Sequence, residues 1–402
     1  MYLQSLDKRE CCGCRACEQV CVPQAIVMEA DAEGFLYPRV EADRCVGCGR
    51  CEKVCAYANP RYTETRPKVY AAYLRDIGQR TMSTSGGVFY AIARSVIADG
   101  GIVFGSVLDG NMQVAHKSAS TLDELSSMRG SKYVQSDLRD SFSAVKAFLE
   151  EGRQVYFTGT PCQVAGLSAF LGKSYANLLT SDLVCHGVPS QRLFDTHIAW
   201  LEKKYKGKVV DYMFRDYKQG GGCETVKITV SQTPGRIITH RLPSYELSPY
   251  LYSFMHSLTY RPACYNCPFA GIPRQGDITL GDYWGSERFH PKMDSRHGIS
   301  LVLVNTPAGN IVWEKIRPEL QYEVSDAENA AAHNGNLVHP SIEPPERKGI
   351  YDRIVREGYD HVAKTIFRSP KYCTTVLKVF ISMILGKRVV GYLKKYYIKY
   401  CK

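Results

Sequence analysis

The cysteines of this chain carry its most readable chemistry. They run Cys11-x-x-Cys14-x-x-Cys17-x-x-x-Cys21 and then Cys45-x-x-Cys48-x-x-Cys51-x-x-x-Cys55, each member 34 residues after its counterpart. Two thiolates separated by two residues can grip one cube of iron and sulfide, and Gly13, Gly47 and Gly49 let the backbone turn amides toward the sulfurs. In paired runs of this kind the fourth cysteine of each serves the other cluster. Cys11, Cys14, Cys17 and Cys55 are then expected on one [4Fe–4S] cluster, and Cys45, Cys48, Cys51 and Cys21 on the second. The alternative is a pair of structural zinc sites, which favour separated pairs of ligands over triplets with a fourth member.

Residues 1–60 resemble a bacterial two-cluster ferredoxin. That family usually has proline directly after the fourth cysteine, whereas here Val22 precedes Pro23 and Ala56 follows Cys55. The proline shapes the exit of the loop and ligates nothing, so the ligand set is unaffected. Cys12 is an extra thiol beside a ligand and receives no role.

The elements that must hold these loops belong to a chain of 402 residues, long enough for two or three domains. Sixteen cysteines without an apolar leader before the first run point to a reducing, cytoplasmic compartment rather than a secreted disulfide framework. No apolar run is long enough to span a membrane. The net charge of +11 sits mostly in the tail, where His361–Lys402 holds ten Lys or Arg and no Asp or Glu. Val376, Leu377, Val379, Phe380, Ile381, Ile384 and Leu385 lie there among basic neighbours. Such a segment suits peripheral contact with an anionic membrane or an acidic partner; the other reading is a helix packed on its own domain. Nucleic acid is not an expected partner, because stacking motifs are missing.

Along the chain, residues 23–44 read as a short apolar link, and Asn59–Pro67 as a linker closing the first domain. Val69–Leu74 reads as a strand, followed by the serine- and glycine-rich loop Ser83–Gly87 and a helix from Val88, a place where free amides suit a phosphate or merely cap the helix. Gly101–Leu108 and Gln154–Thr158 read as strands, and Ser141–Glu150 and Val164–Leu171 as helices. Leu178–Val184 completes a β-α-β pattern, which places the chemistry where strands end, near Gly159–Gln163 and Val184–Gly187. Helix Gln191–Tyr205 precedes three short antiparallel runs, Val209–Arg215, Thr225–Ser231 and Arg236–Arg241. Further strands are expected at Asp277–Leu280 and Ile299–Val304.

The stretches Ser83–Gly87, Ser131-Lys-Tyr133, Thr158-Gly-Thr-Pro-Cys-Gln163, Asp182-Leu-Val-Cys-His-Gly187, Arg261-Pro-Ala-Cys-Tyr-Asn-Cys267 and Asp277–Gly285 resemble, in order and spacing, the coenzyme F420 hydrogenase/dehydrogenase β subunit family, which includes 7-hydroxymethyl chlorophyll a reductase relatives. The resemblance implies FAD, a third [4Fe–4S] cluster and hydride exchange with an organic substrate. By their own spacing, Cys264 and Cys267 form a Cys-x-x-Cys pair, while Cys162 and Cys185 sit at the expected ends of neighbouring strands. Four thiolates at one mouth would complete a cube; otherwise Cys162 and Cys185 are buried hydrophobes and the pair is idle or binds zinc. The chain has no Gly-x-Gly-x-x-Gly fingerprint after its first strand, so a Rossmann-type dinucleotide site is not expected. The resemblance instead sets FAD against Ser83, Ser85, Gly86, Gly87, Ser131, Lys132 and Tyr133, with Gly159, Thr160 and Pro161 beside it. Lys132, His186 and Asp282 are the candidates for the accompanying proton; His186 can equally hydrogen-bond a cluster sulfur, and Asp282 can cap a turn. Cys223, Cys373 and Cys401 are read as free thiols.

The expected class is α+β or α/β: a ferredoxin domain (1–60), a mixed α/β flavin and iron–sulfur domain in two segments (67–155 and 156–345), and a basic helical tail (346–402). The expected activity is an iron–sulfur flavoprotein oxidoreductase passing electrons between ferredoxin-type clusters, FAD and an organic substrate such as F420 or a conjugated or sugar-derived molecule. A ferredoxin or other redox protein is the expected partner. Two other classes stay open: an electron-transfer subunit serving a partner enzyme, and a cluster-bearing structural or sensing protein without flavin. Substrate, direction of electron flow and oligomeric state are not read from the residues.

Overall fold

A computed structural model describes residues 1–60, 66–216, 225–233 and 235–368, and beyond them 372–374, 376–377, 380–381 and 384. Cys223, Cys401, the centre of the 59–67 linker, Val379 and the tail's apolar positions from Leu385 onward lie outside the described residues.

Residues 23–44 are a hairpin rather than a plain link: β1 (Ile26–Ala30) pairs antiparallel with β2 (Leu36–Val40). Asp31 closes its turn by accepting from the amides of Glu33 and Phe35 at 3.0 and 2.9 Å, and Gly34 supplies the left-handed residue at φ +85°. The hairpin separates the two cysteine runs.

The large unit is built on β3 (Lys68–Leu74), β4 (Ile102–Leu108), β5 (Val114–Ala119), β6 (Val155–Gly159) and β7 (Leu178–Leu183), with β8 (Lys208–Met213), β9 (Val226–Thr233) and β10 (Arg236–Leu242) forming a separate antiparallel sheet. The chain returns with β11 (Ile278–Asp282), β12 (Ser300–Val304) and β13 (Leu320–Ser325), giving one eight-stranded sheet in the order β13-β3-β12-β11-β7-β6-β4-β5. Strands β4, β6, β7 and β11 are parallel neighbours, and the outer pairs are antiparallel. This single sheet draws strands from both 67–155 and 156–345. Strands β5 and β13, on its two edges, have half-polar sequences that the hydrophobic pattern passed over.

Alternation along the central strands decides which helix covers which face. Val103 and Tyr156 point to one side, against α1 (Val88–Ala98); Ile102, Phe104, Val155 and Phe157 point to the other, against α2 (Ser141–Glu150) and α3 (Pro161–Leu171). Ala16, Val20 and Val54 from the cysteine loops join this second cluster, so the ferredoxin-like unit is packed into the core. A further core gathers α4 (Gln191–Tyr205), the small sheet, α5 (Pro249–Met255), Phe35 and Tyr37 of the hairpin, and α7 (Ile350–Glu357) with α8 (Tyr359–Arg368); the remaining long helix, α6 (Pro307–Ile316), packs Trp313 on the α1 side. The start of the tail thus packs on its own domain, while Leu377, Phe380 and Ile384 are exposed. Among the described residues no helix is long and apolar enough to cross a membrane.

Two buried histidines make the fold sensitive to acid. His197 bonds the Tyr359 hydroxyl at 3.0 Å and stacks on Tyr250, and burial pushes its pKa down to about 3. His116 lies between Ser136 and the Thr158 carbonyl, with burial taking it to about 4. Both values lie below the ordinary histidine value, so the unfolded chain takes up protons first and stability is lost as pH falls below about 6.5. The thermal midpoint is expected to drop between pH 7 and 5, and His197→Phe to flatten that drop, by at most about 1.4 kcal/mol per pH unit. Parallel slopes for parent and variant would contradict this origin.

Candidate iron–sulfur centres

Cys11, Cys14, Cys17 and Cys55 line one cavity of about 430 Å³ together with Cys51 of the second set, Ala16, Met28 and Pro38. Burial raises the Cys17 thiol pKa, and the sulfurs of Cys14, Cys11 and Cys55 raise it further, so the four share one space. This is the set drawn across the two runs by the exchange of fourth cysteines. In the second set Cys51 is raised by burial and also feels Cys21, whose sulfur accepts from the Ala25 amide at 3.3 Å. Cys45 and Cys48 are exposed, and a Cβ on Gly47 or Gly49 would meet open space. The first set is therefore half-buried, and Cys45 and Cys48 of the second face solvent. The described cysteines form no disulfide.

The second cavity, of about 540 Å³, is lined by Cys162, Cys185, Cys264 and Cys267. Helix α3 starts at Pro161, three residues earlier than the hydrophobic pattern placed it, because Thr160 caps it: the Thr160 amide donates to Gln163 Oε1 at 2.9 Å. Cys162 therefore sits in the first turn of a helix, with Thr160 Oγ1 3.1 Å from its sulfur. Cys185 follows the end of β7, and the short turn Pro262–Asn266 delivers Cys264 and Cys267. Burial raises the Cys185 thiol well above its ordinary value, with Cys264, Cys162 and Cys267 adding to it. The lining contains these four sulfurs, a fifth from Cys12 at its wall, and no carboxylate, which suits a soft iron–sulfide cube. Among the described residues no three His, Cys, Asp or Glu surround a point closely enough for a single metal ion.

Cys12 and Tyr57 line both cavities and form the wall between them. The Cys12 thiol stands between Cys14 and Cys162, and hydrogen bonding to those two sulfurs holds its proton and pushes its pKa well up. The same contacts lower Cys14, and lower Cys162 to about 7. The Tyr57 hydroxyl donates to the Asn266 carbonyl at 2.8 Å. Helix α3 comes close because residue 166 is glycine: a Cβ there would lie 3.0 Å from both Cβ and Sγ of Cys14. Arg261 crosses the same seam. It is fully buried, and it donates from Nε to the Cys11 carbonyl at 2.5 Å, from Nη2 to the Leu36 carbonyl at 2.8 Å and to Cys11 Sγ at 3.5 Å, and from Nη1 to Gln135 Oε1 at 3.2 Å. The sequence motif contained Arg261, but only its place between Cys11 and Cys264 reveals a role. Cys12, Tyr57 and Gly166 carried no spacing signal.

The residues expected around FAD gather in part. Thr84 Oγ1 meets Ser131 Oγ at 2.9 Å, which joins the loops 83–87 and 131–133. Ser83 Oγ accepts from Arg129 at 3.0 Å, and Ser85 Oγ donates to the Ile299 carbonyl at 3.2 Å. A Cβ on Gly86 would lie 2.2 Å from the Ala72 carbonyl, and Gly87 caps α1 at φ +87°. Lys132 turns away from this cradle, donating from Nζ to the carbonyls of Ser127, Met128 and Arg129 at 3.1, 2.8 and 3.0 Å, and burial lowers its pKa to about 7. Its ammonium caps the turn after a short helix, a use that the Ser-Lys-Tyr motif concealed. Tyr133 contacts Ser131 and Arg215, Arg215 pairs with Asp282 at 2.6 Å, and Asp282 acts on His186, whose pKa burial lowers. His186, Thr160 and Pro161 line the second cavity, while Gly159 ends β6.

Paired four-cysteine runs on a mixed α/β scaffold mark an iron–sulfur electron-transfer protein of the oxidoreductase kind. Residues 10–59 match the model of the 4Fe-4S dicluster domain, and residues 152–330 match the C terminus of the Coenzyme F420 hydrogenase/dehydrogenase beta subunit. The chain joins these two domains, as its motifs led one to expect, and the dicluster domain brings two [4Fe–4S] clusters. No curated protein matches it. Among solved structures, a chain of the F420-reducing [NiFe] hydrogenase complex from Methanosarcina barkeri is 19% identical, with 76% of this chain and 92% of that chain covered and a TM-score of 0.42.

Gly166→Val would drive a branched side chain into Cys14. Overpacking of this kind costs about 1–3 kcal/mol. The variant is expected to unfold at lower temperature and to retain less iron than the parent, read by calorimetry and iron assay; an unchanged midpoint would show that the seam can widen freely.

Proposed function

We propose that the chain is a flavin-dependent oxidoreductase in which three four-iron clusters and FAD lie in series. The observation that carries this reading is the shared wall of Cys12 and Tyr57, which sets the Cys162/Cys185/Cys264/Cys267 quartet directly behind the first dicluster quartet. When bound, the clusters pass single electrons and FAD pairs two of them as a hydride for an organic substrate, F420 or another conjugated or sugar-derived molecule.

The protein's own groups supply the rest. The exposed Cys45–Cys48 loop offers a ferredoxin or other redox protein a solvent-facing point of exchange. The four cysteines of the third quartet are half-buried where strands β6 and β7 end. Between this quartet and the joined loops 83–87 and 131–133 run His186, Asp282, Arg215 and Tyr133, and FAD is assigned to that stretch, against Thr84 and Ser131. Burial keeps His186 neutral near pH 7 and able to hold or give a proton, while Arg215 fixes the Asp282 carboxylate. Lys132 shapes the 126–133 turn and is not assigned the proton.

A second reading, an electron-transfer subunit without a substrate of its own, is favoured by the exposed second set. Iron, sulfide and flavin content of protein purified without oxygen separates the possibilities. About twelve irons and one FAD are expected for three four-iron clusters, with Cys185→Ser losing about four irons and Cys12→Ser losing none. About eight irons without flavin would overturn the proposal. Reoxidation of the reduced, flavin-loaded protein by protein carriers alone, across a panel of organic acceptors including F420, would favour the second reading.

A further inference from the structure

The buried charge at the seam has no use in this scheme so far. Arg261 is 0% exposed, and among the described residues no carboxylate lies within ion-pair distance of its guanidinium. Its partners are two carbonyls, one amide oxygen and the sulfur of Cys11, and it lies over the Tyr37 ring at 4.2 Å. Carbonyls satisfy its donors but bring no opposite charge, and an arginine stays protonated even when buried. Gly13 leaves it the room: a Cβ there would lie 2.7 Å from Nη1. Gln135 locks the arrangement, accepting from Nη1 and donating to the Cys12 carbonyl at 2.9 Å. A pocket this closely built around a cation requires an anion, and the nearest candidate space is the quartet that begins with Cys11.

We propose that Arg261 is a potential-setting residue: its fixed positive charge and its N–H donated to Cys11 Sγ raise the reduction potential of the cluster held by Cys11, Cys14, Cys17 and Cys55. A four-iron cube with four thiolates is anionic, and each electron received from the redox partner adds one negative charge with no bond made or broken. A nearby cation therefore favours the reduced form, and hydrogen bonds to the sulfurs act in the same direction. Burial shields this interaction from salt, unlike any exposed charge near Cys45 and Cys48. Because Arg261 stands three residues before Cys264, the segment that supplies the third quartet also tunes the first. The inference rests on the dicluster reading of residues 10–59 and needs neither FAD nor the third cluster.

The test is potentiometric titration of anaerobically purified full-length protein, with the reduced fraction of each cluster read by electron paramagnetic resonance. In Arg261→Gln the reduced-to-oxidised ratio of one cluster at the parent's midpoint is expected to fall about tenfold, which is about 59 mV for one electron. Arg261→Lys, keeping the charge, is expected to lose less than half of that. Unchanged midpoints in an iron-replete Arg261→Gln protein would overturn the inference and leave the dicluster reading standing; a parent protein without iron would overturn both. Should Arg261→Gln fail to fold, hyperfine spectroscopy of the reduced parent, labelled with ¹⁵N in the arginine guanidinium groups, decides the matter. A guanidinium coupling to one cluster that persists in Arg15→Lys supports the inference, and no such coupling overturns it.

Discussion

The close approach of Cys14 and Cys162 across the Cys12 thiol is the contact on which the rest of the molecule depends. Sulfurs from two regions of the chain, nearly 150 positions apart in sequence, converge in one seam. Thiols buried together resist ionisation, as the raised pKa values of Cys17, Cys185, Cys264 and Cys267 show. The cysteine cavities on either side of the seam are therefore unfavourable places for protein alone, and binding of iron and sulfide by the dicluster quartet would offset that cost by taking the sulfurs as thiolates. The surrounding structure is arranged to hold the approach: Gly166 removes a side chain, Arg15 pairs with Asp137 at 2.6 Å, and Arg347 reaches Glu33 of the hairpin at 2.8 Å.

The parallel strands β6, β7 and β11 give this seam its location. Parallel pairing places all three C-terminal ends on one edge, where Cys162, Cys185 and Asp282 emerge within a few residues of one another's strand ends. Such edges concentrate helix starts and exposed backbone amides, which is why ligand chemistry gathers there in open α/β sheets. The antiparallel hairpin β1–β2 then sets the distance between the two cysteine runs. It leaves the first quartet facing inward and the Cys45–Cys48 turn facing solvent, so one module presents a buried end and an exposed end.

Much of the fold was legible because burial and periodicity coincide. Helix Gln191–Tyr205 has the bounds expected of it, and strands β3, β4, β6, β7 and β12 fall within a residue or two, since each carries an apolar stretch bounded by turn or polar residues. Strands β5 and β13 were not legible: one face of each meets solvent or polar neighbours, and a polar edge strand looks like a loop. The hairpin hid for the same reason, with Pro38 and charged residues inside its short runs. Around loops 83–87 and 131–133 the motif did not specify the directions of the side chains. Lys132 could reach a phosphate or its own carbonyls by the same sequence, and the fold turns it to the carbonyls.

The cysteine spacing by itself determined the chemistry of the first sixty residues, because ligation by Cys-x-x-Cys triplets is a local matter of loop geometry that nearest neighbours in sequence decide. Motif order likewise determined the family of residues 152–330. Only the tertiary structure decided that the Cys162, Cys185, Cys264 and Cys267 sulfurs share one cavity, that Cys12 and Tyr57 wall it off from the first, and that Arg261 carries into the seam a charge with no carboxylate beside it among the described residues. Those are relations between side chains far apart along the chain. Their distances follow from how the sheet, helices and cysteine loops pack in three dimensions, which no local spacing specifies.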